Sequence, residues 1–188
     1  MHQLKRNLGL VLKTFLYQIV MSLFGFMMYS AIYKIPFLAV IGQVIITAFF
    51  LYIMFHQMYQ QGAKACEYDW AHKLTSSPAL GFLFALVAFL PAIILSAGTV
   101  ISAPFALDGT PTSSYAPFLI NKTFLQGMYI GIVQFLFPTS ATAGAPAIAA
   151  AGNAQCFAHL ISCIPGLLSC GIGYAIGYLH FKRNKKKN

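Results

Sequence analysis

Acidic residues are scarce in this 188-residue sequence, which has three Asp or Glu side chains against twelve Lys or Arg. Charged residues make up 8% of the chain and hydrophobic residues 59%, whereas about 25% of the residues in a typical soluble domain are charged. This composition excludes a soluble globular enzyme, a disordered chain and a disulfide-stapled secreted domain. It indicates a multi-pass membrane protein.

The long apolar runs contain no acidic residue, and this excludes several kinds of intramembrane chemistry. Glu67, Asp69 and Asp108 all lie between the runs, so carboxylate catalysis and carboxylate proton relays inside the bilayer are excluded. The sequence also lacks a His-Glu-x-x-His zinc motif and a Gly-rich phosphate-binding loop. We therefore predict a protein that is not an enzyme and has no catalytic residues.

Four apolar runs are long enough to cross a hydrocarbon core of about 30 Å, which needs about 20 residues of helix. They are residues 14–33, 37–59, 79–103 and 157–181. A fifth run, Thr123–Phe137, is short for a span and stops at Pro138. We predict an all-α integral membrane protein with one transmembrane domain, a four-span helical bundle. Six spans are the alternative, if the fifth run pairs with the Ala-rich stretch that follows it.

The distribution of basic residues predicts how the chain threads the membrane, because cytoplasmic flanks collect Lys and Arg. With four spans, both termini and the loop 60–78 share a side that carries ten of the twelve basic residues. Only Lys34 and Lys122 lie on the other side. We predict a plasma-membrane protein with both termini cytoplasmic. Its net charge of +9 is explained by this orientation and the lipid bilayer, without a nucleic-acid partner.

The loop 60–78 combines charged and aromatic residues. Asp69 and Lys73 are spaced as a helical ion pair, and Tyr68 and Trp70 are residue types that favour the membrane–water interface. The pattern predicts a short interfacial helix, and a docking site for a cytoplasmic partner is the alternative.

The segment 104–156, on the predicted outer side, holds the short apolar run, a break at Pro138 and an Ala-rich stretch. Two short arms around such a break are compatible with a partly re-entrant hairpin, which protein or a water-filled cavity must surround. Re-entrant elements line pores and substrate sites in channels and transporters. The candidate lining residues are Gln126, Gln134, Thr139, Ser140 and Thr142. An interfacial cap lying on the bundle is the alternative.

Cys156, His159 and Cys163 fall on one face of a helix, and thiolate and imidazole groups are ligands for zinc or haem iron. Packing of small residues is the alternative, and we predict no metal and no cofactor.

Gly173 and Gly177 form a GxxxG motif, which predicts close helix packing within the bundle or between two copies. The triplet that starts at Asn121 is a glycosylation sequon, which matters only in a eukaryotic source.

A resemblance to known proteins rests on three short stretches of the sequence. They are Gly62-Ala63-Lys64 after the second run, Leu80-Gly81 at the start of the third and Ile164-Pro165-Gly166 in the fourth. On these residues the chain resembles uncharacterised small multi-pass membrane proteins of Gram-positive bacteria, which implies a membrane location and no particular activity. The leading hypothesis is an accessory or structural protein that packs against other membrane proteins or itself. The alternative is a small transporter subunit or channel, such as an importer-type substrate-binding subunit, that uses residues 107–155.

Overall fold

The structure, a computed structural model, describes residues 8–72, 77–102, 120–137, 154–155 and 157–185. Of these residues 93% are helical and none lies in a strand. Four helices are long and apolar enough to cross a membrane, which confirms the predicted all-α fold. These candidate spans are Leu8–Ile32, Pro36–Ala71, Leu80–Gly98 and Phe157–Lys185.

The apolar runs form helices because a backbone in lipid must satisfy its polar groups within the segment. The described helices are α1 (Leu8–Ile32), α2 (Pro36–Ala71), α3 (Leu80–Ser102), α4 (Ile130–Leu136) and α5 (Cys163–Lys185). A π-helical turn, Asn121–Leu125, and a 3-10 turn, Gly127–Tyr129, precede α4. Residues 157–161 are also helical and lead into α5.

Helix α2 is longer than a membrane crossing requires. It has 36 residues, and at 1.5 Å per residue it extends over about 54 Å, against about 30 Å for a hydrocarbon core. Pro36 opens the helix, at a position where the missing N–H costs nothing. The sequence predicts a separate interfacial helix after residue 60, but in the structure α2 continues without a break to Ala71.

The chain forms two compact units. Unit 1 contains residues 1–15, 49–89 and 164–188, and unit 2 contains residues 16–48 and 90–163.

In unit 1, α5 packs against α2 and α3. The Ser169 hydroxyl of α5 donates a hydrogen bond to the Leu51 carbonyl oxygen of α2 at 2.7 Å. Eight residues further along both helices, Gly177 lies against the Tyr59 carbonyl oxygen. Residue numbers rise together along this contact, so the described parts of α2 and α5 in unit 1 run parallel.

The contact between α5 and α3 runs in the opposite direction. Gly166 lies against the ring of Phe89, and Gly171 lies against the ring of Phe82, so α3 is antiparallel to α5. The interior of unit 1 is filled by large apolar side chains. These are Phe50, Met54, Met58, Phe84 and Phe89, each at most 1% exposed.

In unit 2, residues 120–137 (the inserted segment) pack between α1 and α2. Gly127 lies against the Ser22 backbone and Gly25 lies against the Met128 backbone, so the inserted segment runs parallel to α1. The Thr47 hydroxyl of α2 donates to the Met128 carbonyl oxygen at 3.2 Å. The short apolar run is therefore largely buried by protein, from Leu125 to Gly131 without interruption.

The outward faces of the long helices are apolar. Large exposed side chains of this kind recur on each of the four, which suits helices that contact lipid. Examples are Leu12, Leu16 and Val20 in α1, Ile45 and Phe49 in α2, Leu86, Leu90 and Ile94 in α3, and Leu168, Ile172 and Ile176 in α5.

Candidate functional site

Buried polar side chains concentrate in unit 2. Of the ten buried polar or charged residues in the described chain, eight belong to this unit. We call them the buried polar cluster: Gln18, Ser22, Gln43, Ser96, Asn121, Gln126, Gln155 and His159. None is Asp, Glu, Lys or Arg, so the cluster consists of amide, hydroxyl and imidazole groups.

Ser96 of α3 joins two amides of the inserted segment. Asn121 Nδ2 donates to Ser96 Oγ at 2.7 Å, and Gln126 Nε2 donates to the same oxygen at 3.1 Å. Gln126 Nε2 also lies 3.0 Å from Cys163 Sγ at the start of α5. The break between the π-helical and 3-10 turns falls at Gln126, whose backbone is outside the helical region. This break lets its side chain reach both α3 and α5.

Two glutamines in the long helices donate to backbone carbonyls. Gln18 Nε2 of α1 donates to the Leu125 carbonyl oxygen at 3.1 Å, where the π-helical turn interrupts the regular α-helical ladder. Gln43 Nε2 of α2 donates to the Gly25 carbonyl oxygen at 2.6 Å. Irregular backbone inside a membrane is tolerated where protein groups satisfy it, and Gln18 does so here.

The carbonyl oxygens of these amides have no donor among the described residues. They are Gln18 Oε1, Gln43 Oε1, Asn121 Oδ1 and Gln126 Oε1. Each of the four residues is only 1% exposed. For Gln18 and Gln43 the amide nitrogen faces a carbonyl oxygen, so exchanging nitrogen and oxygen would bring two acceptors together. Buried acceptors of this kind cost free energy until a donor reaches them.

A groove of about 500 Å³ opens in unit 2 beside the turn between α1 and α2. The Tyr29 hydroxyl donates to Gln134 Oε1 at 2.6 Å in its wall. Gly131 is also in the wall, and a Cβ atom there would meet the side chain of Gln43. The groove therefore adjoins the buried polar cluster. Its lining residues are Tyr29, Tyr33, Pro36, Ala39, Gly131, Gln134 and Phe135.

Two of the five predicted lining residues lie within the described chain. Gln126 belongs to the buried polar cluster and Gln134 lines the groove, so both are in the inserted segment. Thr139, Ser140 and Thr142 lie outside the described residues.

The candidate metal ligands are only partly described. Cys163 Sγ lies 3.9 Å from the carbonyl oxygen of His159, and both residues are buried. Cys156 lies outside the described residues. Within the described part of the chain, no three His, Cys, Asp or Glu side chains form a group that could hold a metal ion.

The glycines of the GxxxG motif both lie against α2. A Cβ atom at Gly173 would meet the backbone of Phe55, and one at Gly177 would overlap the Tyr59 carbonyl oxygen. These contacts are within unit 1 of a single chain.

The sequon residue Asn121 is buried and its amide nitrogen is bound to Ser96, so in this fold a glycan cannot be attached to it.

The predicted site residues do not include Gln43 or Ser96, although both take part in the buried polar cluster. The sequence does carry a signal for them, since each is a polar residue inside a long apolar run. Polar side chains at such positions often bond between helices.

No family model matches the chain, and no curated protein or solved structure shows significant similarity to it. The resemblance to small membrane proteins of Gram-positive bacteria therefore has no support from these comparisons and stays a prediction.

Proposed function

We propose that this protein binds a small, uncharged solute with N–H or O–H donors inside unit 2, as a transporter subunit or channel rather than an enzyme. The observation that carries the proposal is the set of buried amide oxygens without a described donor, beginning with Gln43 Oε1. A solute with hydrogen-bond donors would satisfy these acceptors. The amide and hydroxyl groups of the buried polar cluster carry no charge to balance an ionic solute.

The arrangement of the groove supports access to these oxygens. Gln134 and Gly131 line the groove, and Gly131 contacts the side chain of Gln43. A solute in the groove thus lies close to the side chain of Gln43, whose amide oxygen has no described donor. The volume of about 500 Å³ falls within the range of small-molecule sites, which is about 300–1,000 Å³.

The length of the inserted segment supports the re-entrant interpretation of this region. Its apolar helical part, Gly127–Leu136, has ten residues and extends over about 15 Å, half of a hydrocarbon core of about 30 Å. A helix that ends halfway across a bilayer must be covered by protein, and α1 and α2 cover this one.

The test is a thermal-shift measurement on the purified full-length chain in detergent. The probes are uncharged amides and ureas, paired with N-methylated analogues that lack the donors. We expect donor-bearing probes to raise the unfolding midpoint and their methylated partners to have no effect. Gln43→Leu should abolish the response, whereas Gln60→Leu, the same change at an exposed position of α2 in unit 1, should retain it. If no probe acts, or if methylated analogues act equally, the proposal is wrong.

An accessory role is a second candidate, supported by a polar stripe on the exposed side of α2 in unit 1. Tyr52 and His56 stack with ring centroids 6.0 Å apart, and Gln60 Nε2 lies 2.9 Å from His56 Nε2. Tyr52 is 63% exposed. Polar groups on the outer side of a membrane helix favour contact with another membrane protein or a second copy.

Photo-crosslinking tests this second role. A photoreactive residue at Tyr52 should give a protein adduct in native membranes, and one at Leu86, an exposed apolar position on α3 in unit 1, should give lipid adducts only. Lipid adducts alone at both positions would remove the support for an accessory role.

We also propose a plasma-membrane location with both termini cytoplasmic. The parallel contact of α2 and α5 supports it, because their C-terminal ends then emerge on one side. Four crossings put the N-terminus on that side too, where most Lys and Arg residues lie.

A further inference from the structure

Unit 1 contains a cavity of about 200 Å³ between the last turns of α2 and α5. Cys66 and Trp70 of α2 form one wall, and Phe181, Lys182 and Lys185 of α5 form the other. It belongs to a different unit from the buried polar cluster, so an inference from it is independent of the proposed function.

The lining of this cavity consists of three apolar side chains and two lysines. Lys185 Nζ lies 4.8 Å from the centre of the Trp70 ring and 5.8 Å from that of Phe181. These cation–π contacts hold one ammonium group at the cavity, and Lys182 supplies a second. Asp69 of α2 is buried and accepts a hydrogen bond from the Tyr178 hydroxyl at 3.2 Å, and neither Asp69 nor Glu67 lines the cavity.

The position of the cavity suits the headgroup level of a bilayer. It lies beyond the apolar part of α2 and beside Trp70, the only tryptophan in the chain, a residue type enriched at membrane interfaces. Basic cavities between transmembrane helices at this level bind phosphate-bearing lipid headgroups. At about 200 Å³ the cavity is smaller than typical drug-sized sites, which begin at about 300 Å³. It fits a phosphate and glycerol group better than a folded partner.

We propose that this cavity binds the phosphate of an anionic phospholipid, with the two lysines as its cationic partners. Trp70, Phe181 and the thiol of Cys66 contact the glycerol and the start of the acyl chains. The aromatic walls favour a lipid over free phosphate, because inorganic phosphate gains nothing from apolar contacts.

Trp70 itself can report this binding. The full-length chain is reconstituted in vesicles with brominated phosphatidylglycerol or brominated phosphatidylcholine, and quenching of its single tryptophan gives the relative affinity for the two lipids. We expect a preference for phosphatidylglycerol, and the double variant Lys182→Gln/Lys185→Gln should bring the ratio towards one. A basic residue near an anionic surface contributes roughly a fivefold change in affinity.

The matched control is Lys64→Gln/Arg183→Gln, which removes the same charge from exposed positions on α2 and α5 outside the cavity. It should retain the preference for phosphatidylglycerol. If both double variants lose the preference for phosphatidylglycerol equally, the preference comes from general surface attraction. If the Lys182→Gln/Lys185→Gln variant keeps the same ratio of affinities, the proposed lipid site is wrong. If millimolar inorganic phosphate abolishes the preference, the cavity takes a free anion and the lipid assignment is wrong.

Discussion

Gly177 of α5 lies against the carbonyl oxygen of Tyr59 in α2, with no room between them for a methyl group. Gly62 of α2 lies equally close to the carbonyl oxygen of Tyr174 in α5. Each helix therefore brings a glycine to the other's backbone. In lipid, where the hydrophobic effect does not drive helices together, such close van der Waals contact is a main source of association.

Gly177→Ala is expected to destabilise the protein by about 1–3 kcal/mol, because a Cβ atom would force the two backbones apart. Denaturation in mixed micelles, followed by circular dichroism, measures the change. Gly98→Ala is the control, since a Cβ atom at exposed Gly98 meets nothing within 4 Å. It should be neutral or stabilising by up to about 1 kcal/mol from helix propensity. Equal effects of the two substitutions would contradict the packing argument.

The parallel arrangement of α2 and α5 in unit 1 predicts which ends of the chain share a side of the membrane. A membrane-impermeant maleimide should label Lys64→Cys and Asn184→Cys from one side, and Lys34→Cys from the other, in a background whose native cysteines are serines. Labelling of Lys34→Cys and Lys64→Cys from the same side would mean that α2 does not cross the bilayer.

The long helices could be predicted from the sequence because the length of an apolar run is a local property. The extent of α2 could not. Residues 60–71 contain Gly62 and several charges, and by themselves they favour a separate element. They continue α2 because Gly62 packs against the backbone of α5, a contact that depends on a partner more than 100 residues away.

The candidate site was predictable only in part, for a similar reason. Gln126 and Gln134 are conspicuous as amides in a short apolar run. Their neighbours depend on the register of the inserted segment against α1, which is set by backbone contacts such as that of Gly25 with Met128. No local pattern fixes that register.

Gln126→Leu is expected to lower the free energy of unfolding by about 1–2 kcal/mol. The substitution removes two donated hydrogen bonds, to Ser96 and Cys163, and bonds between membrane helices average about 0.6 kcal/mol each. The same change at exposed Gln60, whose bond to His56 stays within α2, should cost less than the change at Gln126. Denaturant titration in bicelles compares the two, and an equal loss would argue against the buried contacts of Gln126.

The hydrogen bond between Tyr29 and Gln134 should be measurable as a coupling. A double-mutant cycle with Tyr29→Phe and Gln134→Leu is expected to give about 0.6 kcal/mol and at most about 1.7 kcal/mol of unfolding free energy. Tyr33 provides the control, since it lines the same groove and its ring lies 6.5 Å from that of Tyr29, but it makes no hydrogen bond with Gln134. The Tyr33→Phe cycle with Gln134→Leu should give a coupling near zero. If both cycles give the same value, the groove wall responds to packing and the hydrogen bond contributes nothing specific.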